Sequence, residues 1–317
     1  MDAKATTGTA GTAGGVRSGS LQAWAVAIRP RSLPVAISPV IAGAALGYAR
    51  TGSVDLVAGL LVFAAALLMQ VITNMQNDVG YTVRGAERSG TRTGLPRATS
   101  NGWLGIRHVR AAIVVAAAAA TVVGVALVFW RGWPVLAIGV ASLAAALAYM
   151  GGPRPIAYTP FGEATVFVFF GLVATVGPDW VLTGEIGAAP VVAAVALGAA
   201  AAAALAVNNH RDIAHDRLVG RRTFAVVFGA AGSHALYAVL LFAPFALLPA
   251  IAWLCGSPAL LLPAALLPAA VNLRRDFVAC PPGIGFNDVL FRTFRLELWY
   301  AALLSLGALL GRIGTAG

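Results

Sequence analysis

This chain of 317 residues has little charge, few acidic residues and almost no cysteine. Only 11% of its residues are charged, with 12 acidic side chains against 22 basic ones, whereas 59% are hydrophobic and the mean hydropathy is +0.82. This composition excludes an ordinary soluble domain and is typical of polytopic membrane proteins. The two cysteines, Cys255 and Cys280, have no metal-ligand spacing and imply no disulfide framework.

The first 20 residues lack the apolar core of a secretory signal peptide and are mostly Gly, Thr, Ala and Ser. We therefore expect a disordered tail at residues 1–20, followed by one membrane domain at residues 21–317. A bilayer core needs ~20 apolar residues per helix. On this basis the sequence predicts an all-α protein with about nine transmembrane helices, at residues 34–50, 54–77, 110–130, 133–150, 162–182, 188–210, 231–253, 256–273 and 288–311.

The net charge of +10 does not indicate a nucleic-acid partner, because the basic residues lie in short loops between apolar helices. Such a distribution sets the orientation of a protein in the membrane. If the nine spans start from a cytoplasmic N-terminus, all Lys and Arg except Arg50, Arg131 and Arg312 fall on the cytoplasmic side. We therefore predict a multi-pass protein of the cell inner membrane, with its C-terminus on the opposite side.

Two polar stretches interrupt the apolar pattern. In the first, residues 72–97, a helix would place Asn74, Asn77, Asp78 and Tyr81 on one face, at i, i+3, i+4 and i+7. Carboxylates and amides at the end of an otherwise apolar helix are costly in a membrane and mark functional sites.

The second stretch, residues 208–222, repeats this arrangement. Asn208, Asp212 and Asp216 follow at i, i+4 and i+8, and arginines come next. The charge distribution places both stretches on the cytoplasmic side. Together they predict a site at one rim of the membrane rather than at its midplane.

These residue types favour a metal-bridged polyanion site. Mg²⁺ is typically held by one or two carboxylates together with phosphate oxygens. We assign Asp78, Asp212, Asp216 and Asn208 as metal ligands, with nearby arginines gripping phosphate oxygens. A ligand that suits both this rim and the apolar helices below it has a diphosphate head and a hydrocarbon tail, as prenyl diphosphates do.

That ligand predicts a transfer reaction. Metal and arginine would stabilise the departing diphosphate. The allylic cation would remain in a dry cavity, where the aromatic faces of Phe167, Phe169, Phe170 or Tyr158 would stabilise it. An electron-rich ring is the simplest nucleophile. Glu163, at the start of a span, is either a charge favoured by the helix dipole or a substrate contact.

Six motifs carry a resemblance to a known family. They are RPRSLP at 29–34, NMQNDVGYTVRGAE at 74–87, GLPR at 94–97, GGPRPIAYTPFGE at 151–163, NNHRDIAHDRLVGRRTFAVVFG at 208–229 and FNDVLFRTFRLELWYAALLSLGALL at 286–310. In this order they resemble the motifs of the UbiA superfamily of intramembrane prenyltransferases. Within it they look like the MenA branch, the 1,4-dihydroxy-2-naphthoate polyprenyltransferases of menaquinone synthesis. The resemblance covers about residues 22–312.

The resemblance implies a nine-helix bundle around a central cavity, with Mg²⁺-dependent binding of a polyprenyl diphosphate beside an aromatic acceptor in the lipid bilayer. It implies that catalysis is carried by Asp78, Asp212, Asp216 and Arg97. It places Asn74, Asn77 and Asn208 in the two Asp motifs, and Arg84 and Arg154, like Arg97, match basic positions of the family pattern. With Tyr81, from the shared helix face, and the aromatic Tyr158, these residues make up the predicted substrate-binding set: Asn74, Asn77, Tyr81, Arg84, Arg154, Tyr158 and Asn208.

Three departures from the family pattern leave the acceptor open. Tyr81 and Glu87 stand where the family usually has Asp, and Gly94-Leu95-Pro96-Arg97 has one residue more than the usual Gly-Pro-x-Arg. The first hypothesis is transfer to 1,4-dihydroxy-2-naphthoate with loss of its carboxylate. The second keeps the reaction with another acceptor, either 4-hydroxybenzoate-like or a specialised metabolite. A third, motivated by proline-interrupted spans, is a transporter or a non-catalytic lipid-binding protein.

Overall fold

The computed structural model describes residues 15–87, 93–281 and 283–315, and within these ranges every regular element is helical. This confirms the predicted all-α architecture. Three 3₁₀ segments lie at Pro30–Ser32, Ile156–Tyr158 and Pro258–Leu266, and a π-helical segment at Phe167–Val173 joins α6 to α7. The α-helices are α1 Leu21–Ile28, α2 Pro34–Thr51, α3 Leu56–Val83, α4 Ile106–Arg131, α5 Trp133–Met150, α6 Gly162–Val166, α7 Ala174–Thr183, α8 Ala188–Arg211, α9 Ile213–Leu218, α10 Phe224–Leu254, α11 Leu267–Ala279 and α12 Phe286–Thr315.

Seven helical stretches in the described ranges are long and apolar enough to cross a membrane, and α1 with α2, bent by 45°, makes an eighth if the pair is one span. The predicted count of nine is not confirmed. The predicted span at 256–273 is divided between the 3₁₀ segment Pro258–Leu266 and α11. Pro258, Pro263 and Pro268 each remove a backbone N–H, which disfavours one continuous α-helix there.

The alanine-rich α8 lies in the middle of the bundle, and small residues allow its neighbours to approach closely. A Cβ placed on Gly171 would lie 2.4 Å from the Cα of Gly198 on α8, and one on Gly43 would lie 2.2 Å from the carbonyl oxygen of Thr175. Small residues at helix contacts are typical of membrane bundles, in which backbones pack closely without a large hydrophobic driving force. These contacts bring α2, the π-helical segment, α7 and α8 together.

One end of the bundle carries the three arginines that the charge pattern places opposite the polar stretches. Arg50 at the end of α2 bonds to the buried Asp179 at 3.0 Å. Arg131 donates to the carbonyl oxygen of Trp180 at 2.9 Å, and Arg312 donates to a carbonyl near the end of α2 at 3.2 Å. The polar stretches lie at the opposite ends of α3 and α8.

Part of the predicted N-terminal tail packs against the loop between α3 and α4. Gly19 donates its backbone N–H to the carbonyl oxygen of Trp103 at 2.8 Å, and the Ser20 hydroxyl caps α1 by accepting from Ala23 at 3.2 Å. The rest of the predicted tail, at 1–14, lies outside the described residues, as do Lys4, Arg88 and Arg92 from the charge pattern.

Candidate functional site

A cavity of about 380 Å³ runs through the bundle between α2, α3, α4, α5, α7, α8 and α12. Along α3 its lining extends from Asn77 to Val62, roughly 22 Å at ~1.5 Å per residue. Most of the wall is apolar. The aromatic side chains of Tyr149, Phe169 and Phe170 line it, so two of the aromatic residues named from the sequence do face the cavity.

The polar end of the cavity combines predicted residues with arginines that sequence reasoning did not assign to the site. Asn74, Asn77 and Asn208 line this end, as predicted from the two polar stretches. The cations beside them are Arg29, Arg31 and Arg211. The charge pattern of the sequence predicts that all three lie on the cytoplasmic side but assigns none of them to the site.

The turn that presents Arg29 and Arg31 is fastened to α3. Arg29 ends α1 in the left-handed region at φ 57°, and Pro30 begins the 3₁₀ segment that leads into α2. The Ser32 hydroxyl accepts from the side-chain amides of Gln70 and Asn74, at 3.1 and 3.0 Å. The RPRSLP motif is the sequence feature that indicates this turn. Pro30 cannot continue α1, so the chain turns between the two arginines that line the cavity.

Asp78 lies on α3, which continues to Val83, but its carboxylate is directed at the following loop. It is fully buried and accepts the backbone N–H groups of Ala98 and Thr99, each at 2.8 Å, and the Thr99 hydroxyl at 2.5 Å. Three of its roughly four acceptor sites are therefore occupied by protein. In this conformation Asp78 anchors the loop and does not face the cavity with Asn77.

The second stretch does not form one helix, contrary to the sequence prediction. α8 ends at Arg211, Asp212 caps it with φ −98° and ψ 11°, and the chain restarts as α9. The backbone N–H of Asp212 still bonds to the carbonyl oxygen of Asn208 at 3.1 Å, and that of Asp216 bonds to the carbonyl oxygen of Asp212 at 2.7 Å. The carboxylates of Asp212 and Asp216 nevertheless meet different arginines. Asp212 is gripped by its neighbour Arg211, whose Nε and Nη2 donate to the two carboxylate oxygens at 2.9 and 2.7 Å.

Asp216 belongs to a buried cluster beside the cavity. Its carboxylate accepts from Arg221 Nη1 at 2.6 Å, and the same guanidinium contacts the Tyr81 hydroxyl and donates to the carbonyl of Ala157 at 3.1 Å. Burial alone would lower the pKa of Arg221, but the nearby Tyr81 and Asp216 raise it above its ordinary value. Asp216 therefore has a permanent cationic partner.

Tyr81 also binds the predicted catalytic Arg97. The guanidinium carbon of Arg97 lies 3.7 Å from the centre of the Tyr81 ring, and Arg97 Nε donates to Glu87 at 3.2 Å. Arg97 and Tyr81 are 4% and 6% exposed, so this stacked pair is desolvated, the setting in which cation–π attraction is strongest. Tyr81 and Glu87, which stand where the family usually has Asp, therefore both contact Arg97.

The remaining predicted residues, Arg84, Tyr158 and Arg154, are not part of the cavity lining. Arg84 donates to the carbonyl oxygen of Gly152, and its guanidinium lies 5.2 Å from the Tyr158 ring. Burial raises the pKa of the Tyr158 phenol, although the nearby Arg221 opposes the shift, so the phenol stays protonated at neutral pH. Arg154 is exposed on the loop after α5.

Glu163 is a buried carboxylate at the start of α6. One of its oxygens accepts from the side-chain amide of Asn209 at 2.9 Å, and the other has no hydrogen-bond partner among the described residues. The sequence pattern does not identify Asn209 as part of the site. The pair joins α6 to α8 immediately beside Asn208.

The donor set at the polar end fits a divalent cation only in part. Asn77, Asn208 and the Asp212 carboxylate next to them offer oxygens that Mg²⁺ accepts when phosphate supplies the others. All three predicted carboxylates are held by protein groups in this structure, Asp78 by the loop, Asp212 by Arg211 and Asp216 by Arg221. Of these partners only Arg211 lines the cavity. Accordingly, within residues 15–87, 93–281 and 283–315 no three His, Cys, Asp or Glu side chains are grouped as metal ligands. The predicted three-carboxylate site is not assembled in this conformation.

The fold and the cavity define a polytopic α-helical membrane protein whose ligand site is cationic at one end and apolar elsewhere. Comparison with known proteins gives the family. Residues 36–280 match the UbiA prenyltransferase family, and the chain belongs to this family of transferases. The proposal of a transporter or non-catalytic lipid-binding protein is not supported by this membership.

Curated relatives agree with this assignment. The chain is 32% identical over 228 residues to a 1,4-dihydroxy-2-naphthoate octaprenyltransferase of Escherichia coli (strain K12), covering 69% of this chain and 73% of that protein. It is 34% identical over 224 residues to the protein of the same name from Mycobacterium leprae (strain TN), covering 71% and 75%. It is 28% identical over 308 residues to UbiA prenyltransferase domain-containing protein 1 of Mus musculus, covering 92% and 85%.

Solved structures share the fold. A UbiA homolog from Aeropyrum pernix K1, without ligand, superposes with a TM-score of 0.66 at 17% identity, covering 89% of this chain and 98% of that chain. A UbiA homolog from Archaeoglobus fulgidus bound to DMAPP and Mg²⁺ superposes with a TM-score of 0.62 at 15% identity, covering 89% and 99%. The predicted membrane bundle around a cavity is thus the UbiA fold.

Proposed function

We propose that this protein transfers a polyprenyl group from its diphosphate to 1,4-dihydroxy-2-naphthoate, with loss of the acceptor's carboxylate, in menaquinone biosynthesis. The observation that carries the proposal is the identity of about one third to curated enzymes of that name over about seven tenths of the chain. We further propose an inner-membrane location with the polar end of the cavity on the cytoplasmic side, as the arginine distribution predicts.

The cavity supports this reaction physically. A diphosphate at the polar end would meet Arg29, Arg31 and Arg211, whose guanidinium groups match phosphate oxygens bidentately. The polyprenyl tail would lie against the apolar wall and exclude water there. The faces of Phe169 and Phe170 would stabilise an allylic cation once the diphosphate departs.

Mg²⁺ is the proposed cofactor. Asn77, Asn208 and Asp212 would hold it together with the diphosphate, and it would neutralise charge that develops on the leaving group. The predicted ligands Asp78 and Asp216 are not included in this proposed set, because the loop holds the first and Arg221 the second. The chain's own residues would position the diphosphate and keep the reacting end of the tail dry.

The test is an incubation of purified protein in detergent with Mg²⁺, a polyprenyl diphosphate and 1,4-dihydroxy-2-naphthoate, followed by mass spectrometry. We expect a prenylated product that lacks the carboxylate. EDTA and Asp212→Ala should each abolish its formation while the protein still inserts. The control is Asp288→Asn, because Asp288 is exposed and pairs with Arg292 at 3.4 Å outside the cavity lining.

A parallel incubation with 4-hydroxybenzoate tests the second acceptor class, which Tyr81 and Glu87 motivate. Prenylation of 4-hydroxybenzoate alone would overturn the naphthoate proposal and keep the transferase. Full turnover by Asp212→Ala would overturn the proposed role of that carboxylate.

A further inference from the structure

Arg211 and Asp212 form a buried ion pair at the polar end of the cavity. Both carboxylate oxygens of Asp212 accept from the Arg211 guanidinium, at 2.9 and 2.7 Å, in the bidentate arrangement that makes such pairs strong. The Arg211 and Asp212 side chains are only 1% and 5% exposed. The third Arg211 contact, from Nη1 to the side-chain oxygen of Asn287 at 2.7 Å, ties the pair to α12.

This pair joins the two groups that the proposed ligand would need separately. Arg211 lines the cavity beside Asn208, where a diphosphate would require a cation. Asp212, which Arg211 holds behind the cavity lining, is the carboxylate that a divalent cation beside the diphosphate would require. While they hold each other, neither is available. Removing one partner would leave a buried charge uncompensated, so each can be released only if a new partner replaces the old one.

We propose that Arg211 is a diphosphate-binding residue and that it receives the diphosphate by giving up Asp212, which then takes up the divalent cation. This inference rests on the proposed function. The diphosphate replaces Asp212 as the partner of Arg211, and the metal ion replaces Arg211 as the partner of Asp212. Each ligand therefore binds weakly without the other. Because such coupling is reciprocal, metal raises the affinity for diphosphate by the factor by which diphosphate raises the affinity for metal.

The other two predicted carboxylates cannot make this exchange as directly. Asp78 is bonded to backbone N–H groups of the loop, which no diphosphate contacts at the cavity wall. Arg221, the partner of Asp216, is anchored to the carbonyl of Ala157 and is outside the cavity lining. Among the three, only Asp212 is paired with an arginine that already faces the ligand.

The first test measures binding of inorganic pyrophosphate to the detergent-purified full chain in EDTA. Asp212→Asn keeps the shape of the side chain but removes its charge, so Arg211 is released. We expect this variant to bind pyrophosphate tighter than the wild type by on the order of tenfold without metal. A role in folding alone would weaken binding or leave it unchanged, and either result overturns the proposal. Asp276→Asn, which breaks the half-exposed pair with Arg292 outside the cavity, is the matched control and should not change binding.

The second test measures Mn²⁺ binding by electron paramagnetic resonance with and without pyrophosphate. In the wild type we expect pyrophosphate to raise Mn²⁺ affinity on the order of tenfold or more. In Arg211→Gln this enhancement should be clearly smaller than in the wild type. The part that comes from releasing Asp212 is lost, and only the direct contact of Mn²⁺ with pyrophosphate remains. An unchanged enhancement in Arg211→Gln overturns the exchange. This measurement does not use Asp212→Asn, so it tests the proposal even if that variant does not fold.

Failure of the exchange can be told apart from failure of the proposed function. If the wild type binds pyrophosphate with Mn²⁺ and transfers the prenyl group, but neither variant changes the coupling, only the exchange is wrong. If the wild type binds no pyrophosphate with Mn²⁺, the proposed function is wrong and the exchange with it.

Discussion

Replacing Asp78 by Asn should loosen the loop after α3 without altering metal binding. In the wild type the carboxylate accepts two backbone N–H groups at 2.8 Å and a hydroxyl at 2.5 Å while fully buried. The Asn side chain keeps one acceptor oxygen and turns an NH₂ group towards a donor, so at least one buried N–H loses its partner. That costs about 1–3 kcal/mol, and loss of charge assistance brings the local penalty to roughly 3 kcal/mol.

Hydrogen–deuterium exchange mass spectrometry measures this penalty directly. Because about 1.4 kcal/mol corresponds to a factor of ten, amides in residues 98–104 should exchange on the order of 100-fold faster in Asp78→Asn. Asp288→Asn should leave the same peptides unchanged. The Mg²⁺ concentration for half-maximal turnover should also stay near the wild-type value in any residual activity. Unchanged exchange at 98–104 together with a raised Mg²⁺ requirement would refute the loop-anchor reasoning and restore Asp78 as a metal ligand.

Substitutions at two further positions test the packing of the bundle and its polar cluster. Tyr81→Phe should lower the unfolding temperature slightly, because Arg221 loses one acceptor worth about 1 kcal/mol, whereas Tyr81→Leu should lower it more by also removing the ring under Arg97. Equal losses in thermal unfolding would mean that the stacking contributes nothing. Gly43→Ala should lower the unfolding temperature and the purification yield more than a typical surface substitution does. The new Cβ would lie 2.2 Å from the carbonyl oxygen of Thr175 and force α2 away from α7. An unfolding curve like that of the wild type would contradict this contact.

Hydrophobic runs predicted most of the membrane helices because the bilayer imposes a length and an apolar composition on each span. α4 and α5, for example, begin and end within four residues of their predicted limits. The region after α10 could not be predicted in the same way. Hydropathy counts Pro258, Pro263 and Pro268 as compatible with a span, but the backbone hydrogen bonds that they remove decide the conformation.

Helical periodicity placed Asn74, Asn77 and Asn208 in the cavity but misjudged the carboxylates. Periodicity assigns a face to a residue but does not identify the partner that the face meets. In the second stretch Asp212 meets Arg211 and Asp216 meets Arg221. Asp78 shares its turn of α3 with Asn77, yet it meets the loop from residue 98 onward, a contact between residues 20 positions apart in sequence.

The low dielectric of the bundle explains why the carboxylates were the least predictable part of the site. Asp78, Asp212 and Asp216 are buried, and arginines and backbone N–H groups compensate their charges. The polar pattern therefore identifies where these charges are buried but not which protein groups meet them. We therefore identify ligand-binding residues by the position of the compensating group: it has to line the cavity. Arg211, the partner of Asp212, meets this criterion. The loop N–H groups that bind Asp78 and the Arg221 that binds Asp216 do not line the cavity.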